Sequence, residues 1–522
     1  MKSRYLIAGV IIAGCITMGL IAFTFMANAD FHISTVSISG SSVIAVDGQS
    51  NVIKQGTLGV DDATVIQAAL NALDKSNSVL TISPGTYTID KTIVISSFSG
   101  LTVNAKGATI KLKYGYNGFY DDQNYGVYVV DCPSLKLNGL TIDGNKAGMT
   151  KDDNTLINFN HVDNGYVYDC TITNARYKGL AIRRGDSTNL TIDTCHFINN
   201  CDSGGMDSDV YCSAEGSSYT FKNCDFSRAN LADSETQAFY IQSGTGYYYN
   251  NKFNNMQKAY DFRNGIHTVV NAYGTNCGLA LATYDGQPTV SMTNAYFNGL
   301  SGHDDTVGGV WLATGKVTMD NVTLISSGAR NAKYGIMITG EYSTITGTMI
   351  RNCKISGFSN AGIRIVDTGG QGLISGNTIS NCGSYGFDSE GNTGTTTVSG
   401  NTITGVKTPY YAPDGMLDVQ STATSTPTPK PSTTPTPTVT ASFMAGWNLA
   451  PTPLASQDNS VTTMLPTSMT SGLASIWGRD ETKQNWAYNS PIPKNDIFQT
   501  CLKITGSFRP WLLGIKALID VR

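Results

Sequence analysis

The stretch Ile350-Arg351-Asn352-Cys353-Lys354-Ile355 is one copy of a phrase that returns throughout the chain. In each copy an Asn or Cys occupies a pivot position, and an apolar residue follows two or three places later. Pivots are mostly 24 to 32 residues apart, and one gap of 43 residues divides at Asn271 into 20 and 23. A repeat of this length predicts a solenoid. Further copies lie at residues 167–172, 192–197, 221–226, 374–379 and 398–403.

Each repeat contains short β-branched or aromatic runs of alternating polarity, which Gly, Asn and Asp interrupt. The unit is too short for two helices, and three short strands with three turns would form one coil of a parallel β-helix. Asn is typical of tight turns because it tolerates a left-handed backbone, and stacked amides can bond from coil to coil. The sequence therefore predicts an all-β fold, a parallel β-helix solenoid.

Composition narrows the classes of partner. The 522 residues carry a formal net charge of -4, and only 14% are charged, so nucleic acid is not an expected partner. Ten of the eleven cysteines follow residue 29. Cysteines at the pivot, such as Cys195 and Cys224, are predicted to be stacked core thiols, whereas Cys201 and Cys212 are the better candidates for a disulfide.

Residues 1–29 have the pattern of an export signal. Lys2 and Arg4 precede an apolar run over residues 5–26, and Ala27-Asn28-Ala29 is a small-x-small cleavage site. Cleavage is predicted after Ala29, and we expect an extracellular or cell-surface location. The apolar run is also long enough to span a bilayer if it is retained, so a membrane anchor is the alternative.

The segment after the signal carries a family resemblance. Residues 61–73 predict an amphipathic helix, and Pro84-Gly85-Thr86-Tyr87 and Thr92-Ile93-Val94-Ile95 follow it. This order resembles the opening of the pectate-lyase-like superfamily of right-handed parallel β-helices. The resemblance implies a helix that caps the first coils within residues 30–110, followed by β-helix repeats over residues 111–418. It does not select an activity, because the superfamily holds lyases, hydrolases, epimerases and non-enzymatic surface proteins.

The C-terminal fifth of the chain has a different composition. Residues 419–442 are rich in Thr and Pro and predict an extended linker. Residues 443–522 predict a small β-rich module. Gly446-Trp447-Asn448-Leu449 and Ile476-Trp477-Gly478 resemble an aromatic-rich module at the C-termini of exported prokaryotic surface proteins.

One strand of each coil brings polar residues to a common face. These strands begin with a small residue and alternate, which predicts two outward columns. Polar residues concentrate on four consecutive coils. The first column is predicted to contain Ala181, Asp207, Tyr240, Asp261, Ala280, Trp311, Met337, Arg364 and Asp388. The second is predicted to contain Arg183, Asp209, Gln242, Arg263, Ala282, Ala313, Thr339, Val366 and Glu390.

Three interpretations of these columns remain open. In a lyase, Asp207, Asp209 and Asp261 would hold calcium through oxygen ligands, and by resemblance Arg263 or Arg183 would be the base or charge stabiliser. In an inverting hydrolase, two of these carboxylates would stand roughly 6.5–9.5 Å apart. The third interpretation is a solvated face whose ion pairs have no catalytic role.

Binding residues are predicted around the same face. Tyr240, Gln242 and Trp311 are candidates for contacting a sugar, and so is His303 in the loop Gly302-His303-Asp304-Asp305. This loop superficially resembles elements of the polygalacturonase family, but the family's Asn-Thr-Asp motif is missing. The sequence therefore predicts an exported protein that binds or cleaves polysaccharide, by lyase or glycosidase chemistry. The alternative is a non-enzymatic surface, adhesion or envelope protein, and whether the chain is an enzyme stays open.

Overall fold

The computed structural model describes residues 32–121, 123–150, 154–201, 208–231, 236–302, 308–326, 332–340, 347–366, 369 and 372–420. Beyond these it gives the backbone of four strands after residue 445. The chain divides into two compact units, Met1–Ala423 and Thr424–Arg522, and the boundary lies within the predicted linker. Among the described residues, no helix is long and apolar enough to cross a membrane.

Three sheets run along the first unit, and each coil contributes one strand to each. Sheet 1 contains Ile93–Ser96, Phe119–Tyr120, Gln123–Val130, Asn154–Asn160, Lys178–Ile182, Ser208–Cys212, Gln237–Ile241, Lys258–Phe262, Leu279–Thr283, Gly309–Leu312, Tyr334–Thr339, Ala361–Val366, Tyr385–Glu390 and Thr408–Tyr411. Sheet 2 contains Ile33–Ser39, Ser42–Asp47, Val52–Thr57, Val79–Ile82, Thr102–Asn104, Lys136–Asn138, Tyr166–Tyr168, Leu190–Asp193, Ser218–Lys222, Thr245–Tyr249, Ile266–Val270, Thr289–Thr293, Lys316–Asp320, Thr348–Arg351, Gly372–Ser375, Thr396–Ser399 and Leu417–Gln420. Sheet 3 contains Gly85–Ile89, Ala108–Leu112, Thr141–Asp143, Thr171–Thr173, His196–Ile198, Asp225–Ser227, Lys252–Asn254, Tyr273–Thr275, Tyr296–Asn298, Thr323–Ile325, Lys354–Ser356, Thr378–Ser380 and Thr402–Thr404.

Pairing between successive coils is parallel and keeps its register along most of the solenoid. In sheet 1, Phe239 lies opposite Tyr260, which lies opposite Leu281 in the next coil. Inward apolar side chains therefore stack in files along the solenoid axis and form one continuous core. The all-β parallel solenoid predicted from the repeat is confirmed. Every residue predicted to point inward is buried, namely Leu180, Phe239, Phe262, Leu281, Leu312, Ile338 and Ile365.

The turn between sheets 2 and 3 explains the pivot. Asn223, Asn250 and Asn271 adopt positive φ angles in successive coils. Each amide bonds the preceding one: Asn250 Nδ2 donates to Asn223 Oδ1 at 3.1 Å, and Asn271 Nδ2 to Asn250 Oδ1 at 3.0 Å. The next residue along the chain, such as Cys224 or Asn251, is buried. The single pivot of the sequence pattern is thus two adjacent columns, a left-handed outer column and a buried inner one.

The cysteines are core residues. Cys170, Cys195 and Cys224 follow one another in the inner column of three coils, and all are buried, as predicted. Burial raises the pKa of the Cys212 thiol to about 12. Cys212 is a free thiol, so the predicted disulfide with Cys201 is wrong.

Helix α1, Asp62–Ala72, closes the N-terminal end of the solenoid, as the resemblance implies. Its buried face carries Val65, Ile66, Ala69 and Leu70 against the first strands. The Asp62 carboxylate accepts hydrogen bonds from the amides of Gly59 at 2.9 Å and Thr88 at 2.6 Å. These bonds link the helix to the turn before it and to the first strand of sheet 3. The helix therefore covers the core at this end and protects its strand edges.

Four strands are described in the second unit: Gly446–Ala450, Leu473–Asp480, Asn485–Asn489 and Leu513–Ala517. They form one antiparallel sheet, in which the last strand lies between the first two. The expectation of a surface-protein module over residues 443–522 stays a prediction.

Candidate functional site

The outer face of sheet 1 carries the predicted columns, but one coil is shifted. The strand Ser208–Cys212 places Tyr211 opposite Ala181 and Tyr240, where Asp207 was predicted. In the second column the amide of Ser213 bonds the carbonyl of Ile182 at 3.1 Å, so Ser213 takes the place predicted for Asp209. The face is therefore more aromatic and less acidic than the sequence indicates.

Asp209 does not lie on this face. It stands in register with Ala238, an inward residue of the core, and it is 1% exposed. Arg228 NH2 lies 3.4 Å from its Oδ2, and Asn200 Nδ2 donates to Oδ1 at 2.8 Å. Burial raises the pKa of this carboxyl to about 6, although Arg228 and Asn200 act in the opposite direction. The prediction that Asp209 is an outward catalytic or calcium-binding residue is wrong.

The inward position of Asp209 also changes the calcium hypothesis. Asp209 and Asp261 lie on opposite faces of sheet 1, so they cannot ligate one ion together or form a carboxylate pair for hydrolysis. Asp207 and His303 lie outside the described residues, and their roles stay predictions. Within the part of the chain that the structure describes, no group of three His, Cys, Asp or Glu side chains could hold a metal ion.

Asp261 is the centre of the observed cluster. Its position is outward, yet it is 0% exposed because cationic side chains cover it. Arg263 Nε lies 2.9 Å from Oδ1, and Lys258 Nζ lies 3.5 Å from Oδ2. Two cations thus satisfy one buried carboxylate, which would otherwise be too costly to desolvate. This arrangement makes Asp261 an anchor for Arg263 rather than an accessible acid.

Arg263 connects this anchor to solvent. Its NH1 also bonds Asp285 Oδ2 at 2.7 Å, and the Asp285 side chain is 55% exposed. The guanidinium lies between two aromatic rings, 5.0 Å from the centroid of Tyr240 and 4.3 Å from that of Tyr284. Two carboxylates and two rings hold the guanidinium in one orientation, and a planar donor group fixed in this way can recognise a ligand with little loss of entropy.

Polar and aromatic contacts extend the cluster in both directions. Towards the N-terminus, the Tyr211 hydroxyl donates to Gln242 Oε1 at 2.7 Å, and Gln242 Nε2 donates to the Tyr240 hydroxyl at 3.2 Å. Towards the C-terminus, the Tyr284 ring meets Trp311 edge-on, with centroids 5.0 Å apart. Burial raises the pKa of Tyr211, so its hydroxyl stays protonated and available as a donor at neutral pH.

A solvent-open cleft of about 690 Å³ lies at the carboxyl ends of these strands. Tyr240, Gln242, Arg263 and Asp285 line it, together with Glu215 from the preceding coil. Three of the predicted site residues, Tyr240, Gln242 and Arg263, therefore meet in one concave surface. Such a concave surface with a few fixed polar groups is typical of a ligand site.

Arg183 lies one coil beyond this cleft. Its NH1 donates to Gln123, and its guanidinium lies 5.7 Å from the centroid of Tyr211. Arg183 does not pair with Asp209, because Asp209 points into the core. It belongs to the same outer column as Gln242 and Arg263.

Sequence reasoning missed four members of the cluster: Tyr211, Lys258, Tyr284 and Asp285. The columns were predicted on the assumption that each strand begins with a small residue. In this coil the assumption selected Gly205, so Asp207 instead of Tyr211 was assigned to the first column. Ala282 was placed in the second column, but it pairs with Asp261 and Trp311 in the first. Ala280 instead joins the core. The same assumption started this strand at Gly278, whereas Ala280 is the residue that matches Ala259, so Ala282 was displaced by two residues.

Comparison with known proteins finds one family match and several similar solved structures. Residues 268–423 match the family model described as a right-handed β-helix region. The chain is similar to the surface adhesin PfbA of Streptococcus pneumoniae (14% identity, 63% of this chain and 89% of that chain, TM-score 0.47). It is also similar to an endo-xylogalacturonan hydrolase of Aspergillus tubingensis (13%, 74% and 94%, 0.37) and to the A-module of the mannuronan C-5 epimerase AlgE4 of Azotobacter vinelandii (15%, 70% and 97%, 0.36).

These solved structures are too distant to indicate what this chain binds or does. No curated protein sequence matches the chain. The parallel register of the three sheets and the family match agree with each other, and parallel crossovers of this kind are right-handed. The first unit of the chain is a parallel β-helix, and its residues 268–423 match the family of right-handed β-helix regions.

Proposed function

We propose that this protein binds polysaccharide on the outer face of sheet 1, in the cleft that Tyr240, Gln242 and Arg263 line. The observation that carries the proposal is the orientation of Arg263, which two carboxylates and two aromatic rings fix beside an open cleft. Sugar rings present hydroxyl pairs and apolar faces, and fixed planar donors beside aromatic rings complement both.

The arrangement favours binding over bond cleavage. Of the residues predicted to be catalytic, Asp209 points into the core and Asp261 is covered by Lys258 and Arg263. The donors of Arg263 already engage Asp261 and Asp285, so Arg263 would have to leave both before it could act as a base or neutralise a substrate acid. We infer a recognition surface, which suits a non-enzymatic adhesion or envelope protein. Together with the signal-like residues 1–29, this favours a cell-surface or extracellular location.

Binding of the full chain to a glycan array tests the proposal, with Gln242→Ala as the site variant. Asn254→Ala is the matched control, because Asn254 is an exposed amide on sheet 3, away from the cleft. We expect wild type and the control to retain the same glycans and Gln242→Ala to lose most of the signal. Wild type that retains no glycan on a broad array would refute the proposed function.

The retained glycan should then be incubated with wild-type protein and assayed for products. We expect no new reducing ends and no absorbance from conjugated double bonds, with or without calcium. Reducing ends would establish hydrolase activity, and unsaturated products would establish lyase activity. Either result would replace the binding proposal with an enzymatic one.

A further inference from the structure

A second arginine cluster lies on the same face of sheet 1, and nothing in the predicted site includes it. Arg364 NH1 lies 2.7 Å from Asp388 Oδ2, and its NH2 lies 3.3 Å from Glu390 Oε2. Asp388 is 2% exposed, whereas Glu390 is exposed. The guanidinium also lies 5.1 Å from the centroid of the Tyr334 ring.

This Arg364 cluster repeats the design of the Arg263 cluster. In each, a buried Asp anchors an arginine, an exposed acid holds its other edge, and a tyrosine ring supports the guanidinium plane. The two clusters lie on one outward file, in which Asp261, Ala282, Trp311, Met337 and Arg364 pair in consecutive coils. Four inter-strand steps separate Asp261 from Arg364, a span of about 19 Å at ~4.8 Å per step.

The surface between the clusters is apolar. Leu279 and Ala282 form a small cluster separate from the main core, and the partly buried side chains of Trp311 and Met337 pack against it. Contact between apolar side chains and water on the outer face of a sheet is unfavourable, so such a surface is typical of a site that a ligand or partner covers. This apolar surface lies between Arg263 and Arg364. Together they form a continuous track, with an arginine at each end and Trp311 near the middle.

Charge decides which class of ligand the track suits. In the Arg263 cluster, Lys258 and Arg263 face Asp261 and Asp285, so the formal charges cancel. In the Arg364 cluster one cation faces two acids, so the sum is -1. An acidic sugar would have to displace Asp285 or Glu390 and would meet repulsion from them. A neutral sugar can accept hydrogen bonds from the outer edges of both arginines without disturbing either pair.

We propose that the track from Arg263 to Arg364 binds an extended, uncharged polysaccharide, with Trp311 beneath the middle of the chain and Arg364 at a second contact point. This inference rests on the proposed glycan-binding function and specifies the ligand: a linear neutral glycan that spans about 19 Å. Oligosaccharides too short to span the track reach the Arg263 cluster alone.

Ligand class is tested first, with immobilised neutral polymers (xylan, galactomannan and β-1,3-glucan) and acidic ones (polygalacturonate and alginate), each with and without calcium chloride. We expect the full chain to retain at least one neutral polymer and neither acidic polymer. Stronger retention of an acidic polymer, in either condition, would overturn the ligand class and leave the glycan-binding function standing. Retention of none would overturn both proposals.

Ligand length is tested next, by titrating the disaccharide and the octasaccharide of the retained polymer. Arg364→Gln should weaken binding of the octasaccharide about tenfold, which corresponds to about 1.4 kcal/mol, because a charge-assisted hydrogen bond is lost, and should leave binding of the disaccharide unchanged. Arg263→Gln should weaken both. Arg351→Gln is the matched control, because Arg351 forms an exposed 3.0 Å ion pair with Asp320 on sheet 2.

One result would contradict the track. Equal affinity of wild type and Arg364→Gln for the octasaccharide would remove the second contact point, while disaccharide binding would keep the proposed function intact. If Arg364→Gln fails to fold because Asp388 is left buried and unpaired, the double variant Arg364→Gln/Asp388→Asn removes both charges and serves in its place.

Discussion

The buried pair of Asp209 and Arg228 gives a prediction whose sign is unusual: removing the carboxylate should stabilise the protein at neutral pH. Burial raises the pKa of Asp209 from 3.8 to about 6 in the folded state, even with Arg228 3.4 Å away. A carboxyl whose folded pKa is raised favours folding while it is protonated. Its stabilising contribution is therefore complete below pH 3.8 and is lost as the pH rises through about 6.

The size of the effect follows from the same two pKa values. One pKa unit corresponds to 1.36 kcal/mol, so ionising Asp209 costs the folded state about 3 kcal/mol at pH 7.5. Asp209→Asn keeps the shape of the protonated acid, and Arg228 has the same neutral neighbour in the variant as in acidified wild type. We expect the two proteins to have equal free energies of unfolding near pH 3.8, and the variant to be more stable by about 3 kcal/mol at pH 7.5.

Urea unfolding of the full chain, followed by far-UV circular dichroism at both pH values, measures this difference. Asp193→Asn is the control of opposite sign. Burial alone would raise the pKa of Asp193, but hydrogen bonds from Asn223, Tyr166 and other donors lower it, so the variant should be less stable at pH 7.5. A destabilised Asp209→Asn at pH 7.5 would refute the reasoning, because attraction to Arg228 would then exceed the cost of burial.

Three further outcomes follow from burial. In urea titrations, Phe262→Asp and Ala280→Asp should each lower the free energy of unfolding by several kcal/mol, because each places an unpaired carboxylate in the core. The control is Thr378→Asp, on the exposed face of sheet 3, which should change the free energy of unfolding little. Burial lowers the pKa of His267 from 6.5 to about 4. Its contribution to stability is therefore complete above pH 6.5, and about 3 kcal/mol of the free energy of unfolding is lost as the pH falls through 4. The prediction would be contradicted if His267→Gln showed the same pH dependence of the unfolding free energy as wild type. Burial also raises the pKa of Cys277 to about 12, so peptide mapping should find it alkylated by iodoacetamide at pH 8 only after denaturation.

Ala280 shows where sequence periodicity stops being reliable. Strict alternation from Leu281 places Ala280 outward, in the first predicted column. The structure puts Ala280 and Leu281 both in the core, while Leu279 and Ala282 pack on the outer face. The same pair of adjacent core residues recurs in other coils, as in Ala238–Phe239 and Ala259–Tyr260, so strict alternation fails near the start of each of these strands.

Asp209 shows a second limit. Sheet 1 carries Gly179 and Ala238 at the corresponding inward position of the flanking coils, so a small residue is the expected occupant. Asp209 can lie there only because Asn200 and Arg228, from other segments of the coil, reach its two oxygens. A charged residue in an alternating strand is naturally assigned outward, since its partners cannot be seen in the linear sequence.

The sequence by itself determined the solenoid, its N-terminal helix, the stacked thiols and the face that carries Tyr240, Gln242, Asp261 and Arg263. A repeat of this kind imposes the same path on each coil, so periodicity carries the architecture. Only the tertiary structure decided the register of each coil, and with it which residues touch. Contacts such as that of Arg263 with Asp285 join different coils at separations set by loops of unequal length, and no local pattern encodes those separations.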